Sequence, residues 1–295
     1  MSRPGAAGEL VVVSTPIGNL ADLAPRAAAA ISAADIVCCE DTRHTGSMLK
    51  RLGIRSGRLL SLHAHNEADR VPMLLDELRS GRSVALVSDA GTPAVSDPGE
   101  RLVAAAARAG IRVSPVPGPS AVLAALVVSG MGLARWRFEG FLPRKGGDRR
   151  KRLEDIASSP SPSVCYESPQ RVAATLADLA GVCGGDRQVA VCREMTKLHE
   201  EVWRSSLSDA AAHFAESAVR GEIALVIDGA EAGPDAPSAP SDVELCEEVE
   251  ELVRAGLSRR DAVREVACRL GLARAAVYRA AVAARRSSDQ ATSGR

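Results

Sequence analysis

The stretch from Val84 to Gly99 reads VALVSDAGTPAVSDPG, and it decides the fold that we expect. The apolar run Val84 to Val87 has the length and β-branched content of a buried strand. In an open α/β sheet, ligands bind beyond the carboxyl ends of such strands. Asp89 places a carboxylate there, and Gly91 lets a ligand approach the backbone. The stretch predicts a ligand-binding loop, and an ordinary strand-to-helix turn with capping side chains is the alternative.

The same order of strand, polar turn and helix recurs along the chain. Strands expected at 9–14, 35–40, 59–62 and 112–116 make the segment 1–130 a domain with a mainly parallel sheet. The segment 131–229 predicts a second α/β domain, followed by a linker rich in Pro, Ala and Ser at 230–241. A small helical module resembling a helix-turn-helix is expected at 242–286, and a disordered tail at 287–295. The module either binds nucleic acid or only packs.

The bulk composition is that of a globular cytoplasmic protein. Hydrophobic residues make up 46% of the 295 residues, and no apolar run is long enough to span a membrane. The 37 Lys and Arg balance the 37 Asp and Glu, which argues against non-specific coating of nucleic acid. Any RNA contact must therefore come from local basic patches. The seven cysteines form no C-x-x-C pair, so we expect reduced thiols rather than disulfides or a zinc site.

Polar clusters follow two other predicted strands of the first domain. The segment 40–43 (EDTR) places a base and a phosphate clamp at a strand end, or it caps the next helix with Asp41. The segment 63–67 (HAHNE) has the spacing of a metal site, but no third ligand of matching character is visible, so no metal is expected.

A basic run opens the second domain. The segment 144–152 carries six basic residues against one acidic residue, and its glycines predict a mobile loop. Such a loop beside a cleft is suited to RNA phosphates, whereas a solvated start of a helix is the alternative. The residues expected to bind RNA are Arg144, Lys145, Arg149, Arg150, Lys151 and Arg152, together with Arg193 in the polar segment 193–201.

Seven segments together resemble one family. They are TPIGNL at 15–20, EDTR at 40–43, SDAGTPAVSDPG at 88–99, VPGPSA at 116–121, FEGFLPRK at 138–145, YESP at 166–169 and CREMTKLHEE at 192–201. They resemble the tetrapyrrole-methylase-like (class III) S-adenosylmethionine methyltransferases, and most of all the bacterial branch that acts on ribosomal RNA. Ala64 and Gln170 depart from the family pattern, which has an acidic residue and a histidine there.

The resemblance implies two α/β domains with S-adenosyl-L-methionine in the cleft between them, in a homodimer. It implies that the acceptor is the 2′-hydroxyl of a cytidine in the decoding region of 16S rRNA, within the 30S subunit. The residues that it implies for the cofactor are Pro16, Asp89, Ala90, Gly91, Thr92, Ser120, Ala121, Tyr166 and Ala224. A small-molecule methyltransferase of the tetrapyrrole type and a non-enzymatic nucleic-acid-binding protein are the alternatives.

Methyl transfer to a hydroxyl needs in-line alignment of the reacting atoms and a place for the hydroxyl proton. The sulfonium is already an activated donor, so the chemistry requires no metal. We expect Lys197 and Glu200 to lie at the cleft, to neutralise each other in part and to act in catalysis. The sequence does not choose between this pair and the other candidates, which are Glu40, Asp41, Arg43, Glu67 and Glu194.

Overall fold

A computed structural model of the chain describes residues 8–216, 219–230, 242–270 and 272–281. The chain divides into two compact units between Ala230 and Glu231. The first unit contains two five-stranded sheets, and the described part of the second is helical. Residues 231–241 of the predicted linker and the predicted disordered tail 287–295 lie outside the described residues.

The first sheet is entirely parallel. Its strands are β1 (Glu9–Val13), β2 (Ile36–Cys39), β3 (Arg58–Ser61), β4 (Val84–Val87) and β5 (Arg112–Val116), in the order β3-β2-β4-β1-β5. The connecting helices are α1 (Pro25–Ala33), α2 (Thr42–Arg51), α3 (Glu67–Arg79) and α4 (Glu100–Arg108), and α5 (Ala121–Ser129) follows β5. All four residues of β4 are buried, as expected for a central strand that helices cover on both faces. The predicted parallel-rich α/β sheet is confirmed.

The second sheet is mixed. Its strands are β6 (Arg137–Phe141), β7 (Ser163–Glu167), β8 (Gln188–Arg193), β9 (Glu201–Ser206) and β10 (Ile223–Ile227), in the order β6-β7-β10-β8-β9. Only β6 and β7 pair in parallel. One face packs against α6 (Gly147–Ala157), α7 (Val172–Cys183) and α8 (Leu207–Glu216).

Helix α5 joins the two sheets. Its buried residues Val122, Ala125 and Leu126 pack with Ala190 and Ala224 on the face of the second sheet that α6–α8 leave open. The sequence of α5, AVLAALVVS, contains only small and aliphatic side chains apart from Ser129. This lets a helix that follows the first sheet lie close against the second, so the ends of both sheets meet beside it.

The basic run differs from its prediction, because it is helical from Gly147 onwards rather than a mobile loop. Leu153 and Ile156 anchor the inner face of α6 in the core. Arg149 is held as well, since its guanidinium lies 2.7 Å from Asp178 and donates to the Pro143 carbonyl. Buried apolar residues and ion pairs therefore fix a segment whose glycines indicated mobility.

The second compact unit contains α9 (Asp242–Arg254), α10 (Arg259–Leu270) and further helical residues at 274–281. Leu245, Val249, Val266 and Val277 form its core. Ser258 caps α10 as expected, since its Oγ accepts from the Asp261 N–H at 3.2 Å. The helical module is thus present, and nucleic-acid binding by it stays a prediction. None of the helices described is long and apolar enough to cross a membrane.

Candidate active site

A cavity of about 360 Å³ lies between the two sheets. The turn after β4 and the start of α5 form one wall, and β7 and β10 form the other. Most residues expected to bind the cofactor line it, namely Ala90, Gly91, Thr92, Ser120, Ala121, Tyr166 and Ala224. Pro16 and Asp89 directly precede the lining residues Ile17 and Ala90. Positions far apart in sequence therefore surround one space.

The turn after β4 is tied to the end of β1 by reciprocal hydrogen bonds. The Thr15 N–H donates to the Gly91 carbonyl at 2.8 Å, and the Gly91 N–H donates to the Thr15 carbonyl at 3.2 Å. The Ser88 hydroxyl also donates to the Gly91 carbonyl at 2.8 Å, and the Thr15 hydroxyl donates to the Ser88 carbonyl at 3.0 Å. Thr15, Ser88 and Gly91 are all buried. These hydrogen bonds therefore fix the turn before any ligand binds.

Gly91 has a backbone that a larger residue would strain. Its φ is +87°, and a Cβ there would lie 3.2 Å from Cγ2 of Ile17 and 3.7 Å from the Pro119 carbonyl oxygen. Thr92 extends the same wall, since its hydroxyl donates to the Pro119 carbonyl at 3.1 Å. A side chain at Gly91 would therefore crowd Ile17, which itself lines the cavity.

Tyr166 supplies the aromatic part of the opposite wall. Its ring lies 5.2 Å from that of Phe138 and 5.5 Å from that of Phe141, measured between centroids. Burial, and then the negative charge of Asp97, raise the pKa of Tyr166 to about 12. The phenol is thus neutral near pH 7 and presents a hydroxyl donor together with an apolar ring face.

The segment after β8 holds Lys197 at the edge of the cavity. Its Nζ lies 2.7 Å from Oε1 of Glu194 and 2.9 Å from Oε2 of Glu222, and Glu222 lines the cavity. Burial alone would lower the pKa of Lys197, but the hydrogen bonds to these two carboxylates outweigh it and raise the pKa. Lys197 is therefore a fixed cation rather than a proton acceptor.

The expected pairing of Lys197 with Glu200 is not formed. Glu200 instead accepts from the Thr196 N–H at 2.6 Å and so closes its own turn. The alternative partners Glu194 and Glu222 approach Lys197 because the Glu222 N–H also donates to Oε1 of Glu194 at 3.0 Å. Sequence spacing gave no sign of Glu222, which comes from the start of a distant strand.

The turn at 40–43 has the capping arrangement that was the alternative to a catalytic one. Oδ1 of Asp41 accepts from the Arg43 N–H at 2.8 Å, and Oδ2 pairs with the exposed Arg43 guanidinium at 3.1 Å. The side-chain hydrogen bond from Arg43 is the main cause that lowers the pKa of Asp41 to about 2. The turn also contacts the β4 turn, because the Asp41 N–H donates to Oδ1 of Asp89 at 3.3 Å. None of Glu40, Asp41 and Arg43 lines the cavity.

Glu67 is occupied as a helix cap. Its side chain is buried, and Oε1 accepts from the N–H groups of Gly99, Arg101 and Leu102 at 3.1, 3.0 and 3.3 Å. These donors form the N-terminus of α4, whose positive dipole end favours a carboxylate. This geometry favours a structural role for Glu67, which lies outside the cavity lining.

A family model for tetrapyrrole (corrin/porphyrin) methylases matches residues 9–211. That span runs from β1 to the middle of α8 and includes the turn after β4 and Tyr166. The chain belongs to the tetrapyrrole methylase family. The resemblance of the seven segments is thereby confirmed, and with it S-adenosylmethionine as the methyl donor.

Several relatives within the family are proteins named ribosomal RNA small subunit methyltransferase I. The one from Synechocystis sp. is 44% identical over 271 residues, covering 92% of this chain and 96% of that protein. The one from Mycobacterium tuberculosis (strain H37Rv) is 48% identical over 263 residues, covering 89% and 90%. The one from Streptococcus pyogenes serotype M1 is 42% identical over 260 residues, covering 88% and 90%.

Several solved structures share the fold. The methyltransferase CobJ has a TM-score of 0.58 at 21% identity and covers 76% of this chain and 95% of its own. Uroporphyrin-III C-methyltransferase from Thermus thermophilus, complexed with S-adenyl homocysteine, has a TM-score of 0.53 at 18% identity and covers 74% and 96%. These likenesses show the architecture of the first compact unit.

The residues around the cavity fit the family's cofactor. S-adenosylmethionine supplies a methyl group on a positively charged sulfur when bound. The backbone at Gly91 gives the close approach that an adenosyl group needs, and the Tyr166 ring gives an apolar face. The lining residues that the structure describes include carboxylates but no Lys or Arg, so no lining cation repels a positively charged ligand.

The expected RNA-binding residues fall into two groups. Arg149, Arg152 and Arg193 are neutralised by ion pairs with Asp178, Glu139 and Glu201 at 2.7, 2.7 and 2.9 Å. By contrast, an exposed quartet makes no ion pair within the described part of the chain: Arg144, Lys145, Arg150 and Lys151. Among the residues expected to bind RNA, this exposed quartet is the group that presents uncompensated charge.

Sequence reasoning missed several lining residues. Val95, Ser96 and Asp97 belong to the stretch 84–99, Met195 follows β8, and Glu222 precedes β10. The stretch at 94–97 curves into the cavity because Ala94 and Ser96 adopt φ values of 66° and 64°. Neither alanine nor serine is typical of a left-handed backbone, so the sequence does not predict this bend. Asp97 was the one residue of this part of the loop whose side chain suggested a ligand site.

We predict that Gly91→Val abolishes cofactor binding, because its side chain would displace Ile17 into the cavity. Calorimetry with S-adenosylhomocysteine should show at least about a 100-fold loss of affinity, a change of about 2.7 kcal/mol in binding free energy. Gly110→Val is the matched control, since Gly110 also has a positive φ of +70° but no heavy atom lies within 4 Å of its Cβ position. A folded Gly91→Val protein with unchanged affinity would disprove this placement of the cofactor.

Proposed function

We propose that the chain transfers a methyl group from S-adenosylmethionine to the ribose 2′-hydroxyl of a cytidine in the decoding region of 16S rRNA. The observation that supports this most is the 42–48% identity to proteins named ribosomal RNA small subunit methyltransferase I, over 88–92% of the chain. Identity of this extent covers both sheets and the residues that surround the cavity. The decoding-region cytidine and the 2′ position come from the sequence resemblance.

The geometry of the cavity suits transfer to a large acceptor. Residues of both sheets and of the turns that follow them line the cavity, so a nucleotide can enter between the sheets while the cofactor stays against the β4 turn. Binding both reactants at fixed positions provides the in-line alignment that methyl transfer needs. Lys197 is not counted among the phosphate contacts, because Glu194 and Glu222 already neutralise its charge.

The exposed quartet suits RNA better than a tetrapyrrole. Arg144 and Lys145 precede α6, and Arg150 and Lys151 are exposed on it, whereas Arg149 and Arg152 pair with carboxylates. A macrocycle held in the cavity would contact the lining residues, none of which belongs to α6. The phosphates of a folded RNA extend beyond the cavity, and their contacts with Lys and Arg release counterions.

The proposal includes assembly as a homodimer and a cytoplasmic location. Leu123 and Val127, one helical turn apart on α5, are 51% and 64% exposed and offer an apolar face that a second copy would cover. The location follows from the substrate, since a 30S subunit is the form in which the decoding region is assembled.

The proposed function is tested by incubating the protein with labelled S-adenosylmethionine and 30S subunits that lack the modification. We expect label in 16S rRNA, recovered as 2′-O-methylcytidine after digestion to nucleosides. Uroporphyrinogen III in a parallel reaction should take up none. Label in the tetrapyrrole alone would replace the proposal with a small-molecule methyltransferase, and label in neither would favour a binding protein.

The exposed quartet gives a second prediction. Replacing Arg144, Lys145, Arg150 and Lys151 by Ala should weaken 30S binding and flatten its dependence on salt, since each lost phosphate contact reduces the slope by about 0.7–0.9. Cofactor affinity should stay as in the wild type.

The control for this variant is Arg152→Ala, which removes a cation already paired with Glu139. It should leave the salt slope unchanged. Filter binding between about 50 and 200 mM salt separates the outcomes. Equal slopes for the wild type and the quadruple variant would assign the quartet to a merely solvated face.

A further inference from the structure

Three carboxylates line the cavity, and two of them are engaged. Glu167 is buried, and it accepts from the Thr175 hydroxyl at 2.7 Å and from the Ser168 N–H at 2.8 Å. Glu222 is paired with Lys197. Asp97 is the third, and within the described residues its carboxylate has neither a hydrogen-bond partner nor an ion pair. It is therefore the lining carboxylate with free lone pairs.

Both domains hold Asp97 against the cavity. The residues before it take up left-handed φ values at Ala94 and Ser96, a conformation that costs about 1–3 kcal/mol per residue. Ser96 abuts β6 of the other domain, where a Cβ at Gly140 would lie 3.4 Å from the Ser96 Oγ. Gly140 itself has a φ of +64° beside a register shift in β6. The side chain of Asp97 thus projects from a backbone that is fixed on both sides.

The charged groups facing Asp97 are other carboxylates. Burial comes first, and the charges of Glu40 and Asp89 add to it, in raising the pKa of Asp97 to about 6. Tyr166, across the cavity, is the neutral phenol whose own pKa the Asp97 charge helps to raise. A base is most effective when its pKa lies near the working pH, because it is then both ionised and able to hold a proton.

The other candidate bases are less suited to the task. Asp41 is held by Arg43 at a pKa of about 2 and lies outside the cavity lining. Lys197 keeps its proton, Glu200 closes a turn, and Glu67 caps α4. Asp97 combines placement in the cavity, free lone pairs and a moderate basicity.

We propose that Asp97 is the general base of the methyl transfer, an inference that rests on the proposed function because it needs a hydroxyl acceptor. The proton of the ribose 2′-hydroxyl moves to a carboxylate oxygen of Asp97. The ribose oxygen forms a bond to the methyl carbon while the bond between that carbon and sulfur breaks. The electron pair of the broken bond stays on sulfur, which gives S-adenosylhomocysteine. Asp97 then releases the proton to solvent.

The test begins with the free protein. Carboxyl ¹³C NMR of the wild type should contain one aspartate resonance that titrates near pH 6 and is missing from Asp97→Asn. This measurement does not depend on activity. If no aspartate titrates above about pH 5, the environment assigned to Asp97 is wrong and the proposal is overturned.

Single-turnover methylation of 30S subunits then measures the role. Asp97→Asn should lower the rate by roughly two orders of magnitude, the usual size of a general-base effect. It should bind S-adenosylhomocysteine within about threefold of the wild type. The wild-type rate should rise with pH through the ionisation of Asp97, and this rise should be absent from Asp97→Asn. Glu100→Gln, three residues further on at an exposed position, is the matched control and should behave as the wild type.

The outcomes separate the two proposals. A wild-type protein that methylates no ribose overturns the proposed function, whatever Asp97 does. A wild-type protein that methylates 30S subunits while Asp97→Asn keeps a near-normal rate overturns only the role of Asp97. A folded Asp97→Asn protein that loses cofactor affinity makes Asp97 a binding residue and also overturns its role as the base.

Discussion

The pair of backbone hydrogen bonds between Thr15 and Gly91 is the constraint on which the site depends. It joins the turns that follow β1 and β4, two strands that are neighbours in the first sheet. Two further hydrogen bonds hold the turn after β4 against the cavity, because the Ser88 hydroxyl donates to the Gly91 carbonyl and the Thr15 hydroxyl donates to the Ser88 carbonyl. A binding surface fixed in this way avoids the entropic cost of ordering a loop when the ligand binds.

The second sheet completes this surface through close approaches at small residues. Helix α5 packs its alanines against β8 and β10, and Gly140 admits Ser96 at the edge of the second sheet. The aliphatic stem of Lys197 packs directly on Gly18, where a Cβ would clash with the Lys197 Cγ. The width of the cavity is thus set by contacts between the two sheets and their connecting segments, so the cavity exists only where both sheets are in place.

The strands and the cofactor wall could be predicted because apolar runs and glycine-rich turns are local signals. The helical form of the basic run and the partners of Glu67 and Lys197 could not be predicted, since they depend on contacts with residues far along the chain. Glu67 reaches α4 across 32 residues to Gly99, and Lys197 meets Glu222 across 25. The position of Asp97 in the cavity could not be predicted for another reason. It depends on left-handed φ values at Ala94 and Ser96, which these residue types rarely adopt.

The most direct test of the central claim, that the cofactor binds between the two sheets, is hydrogen–deuterium exchange with and without S-adenosylhomocysteine. We predict that the ligand slows exchange in the segments 89–97, 119–123 and 221–224, which surround the cavity. The segments 63–67 and 144–152 should exchange at the same rate in both states. Protection confined to those outer segments, with the cavity segments unchanged, would contradict the account.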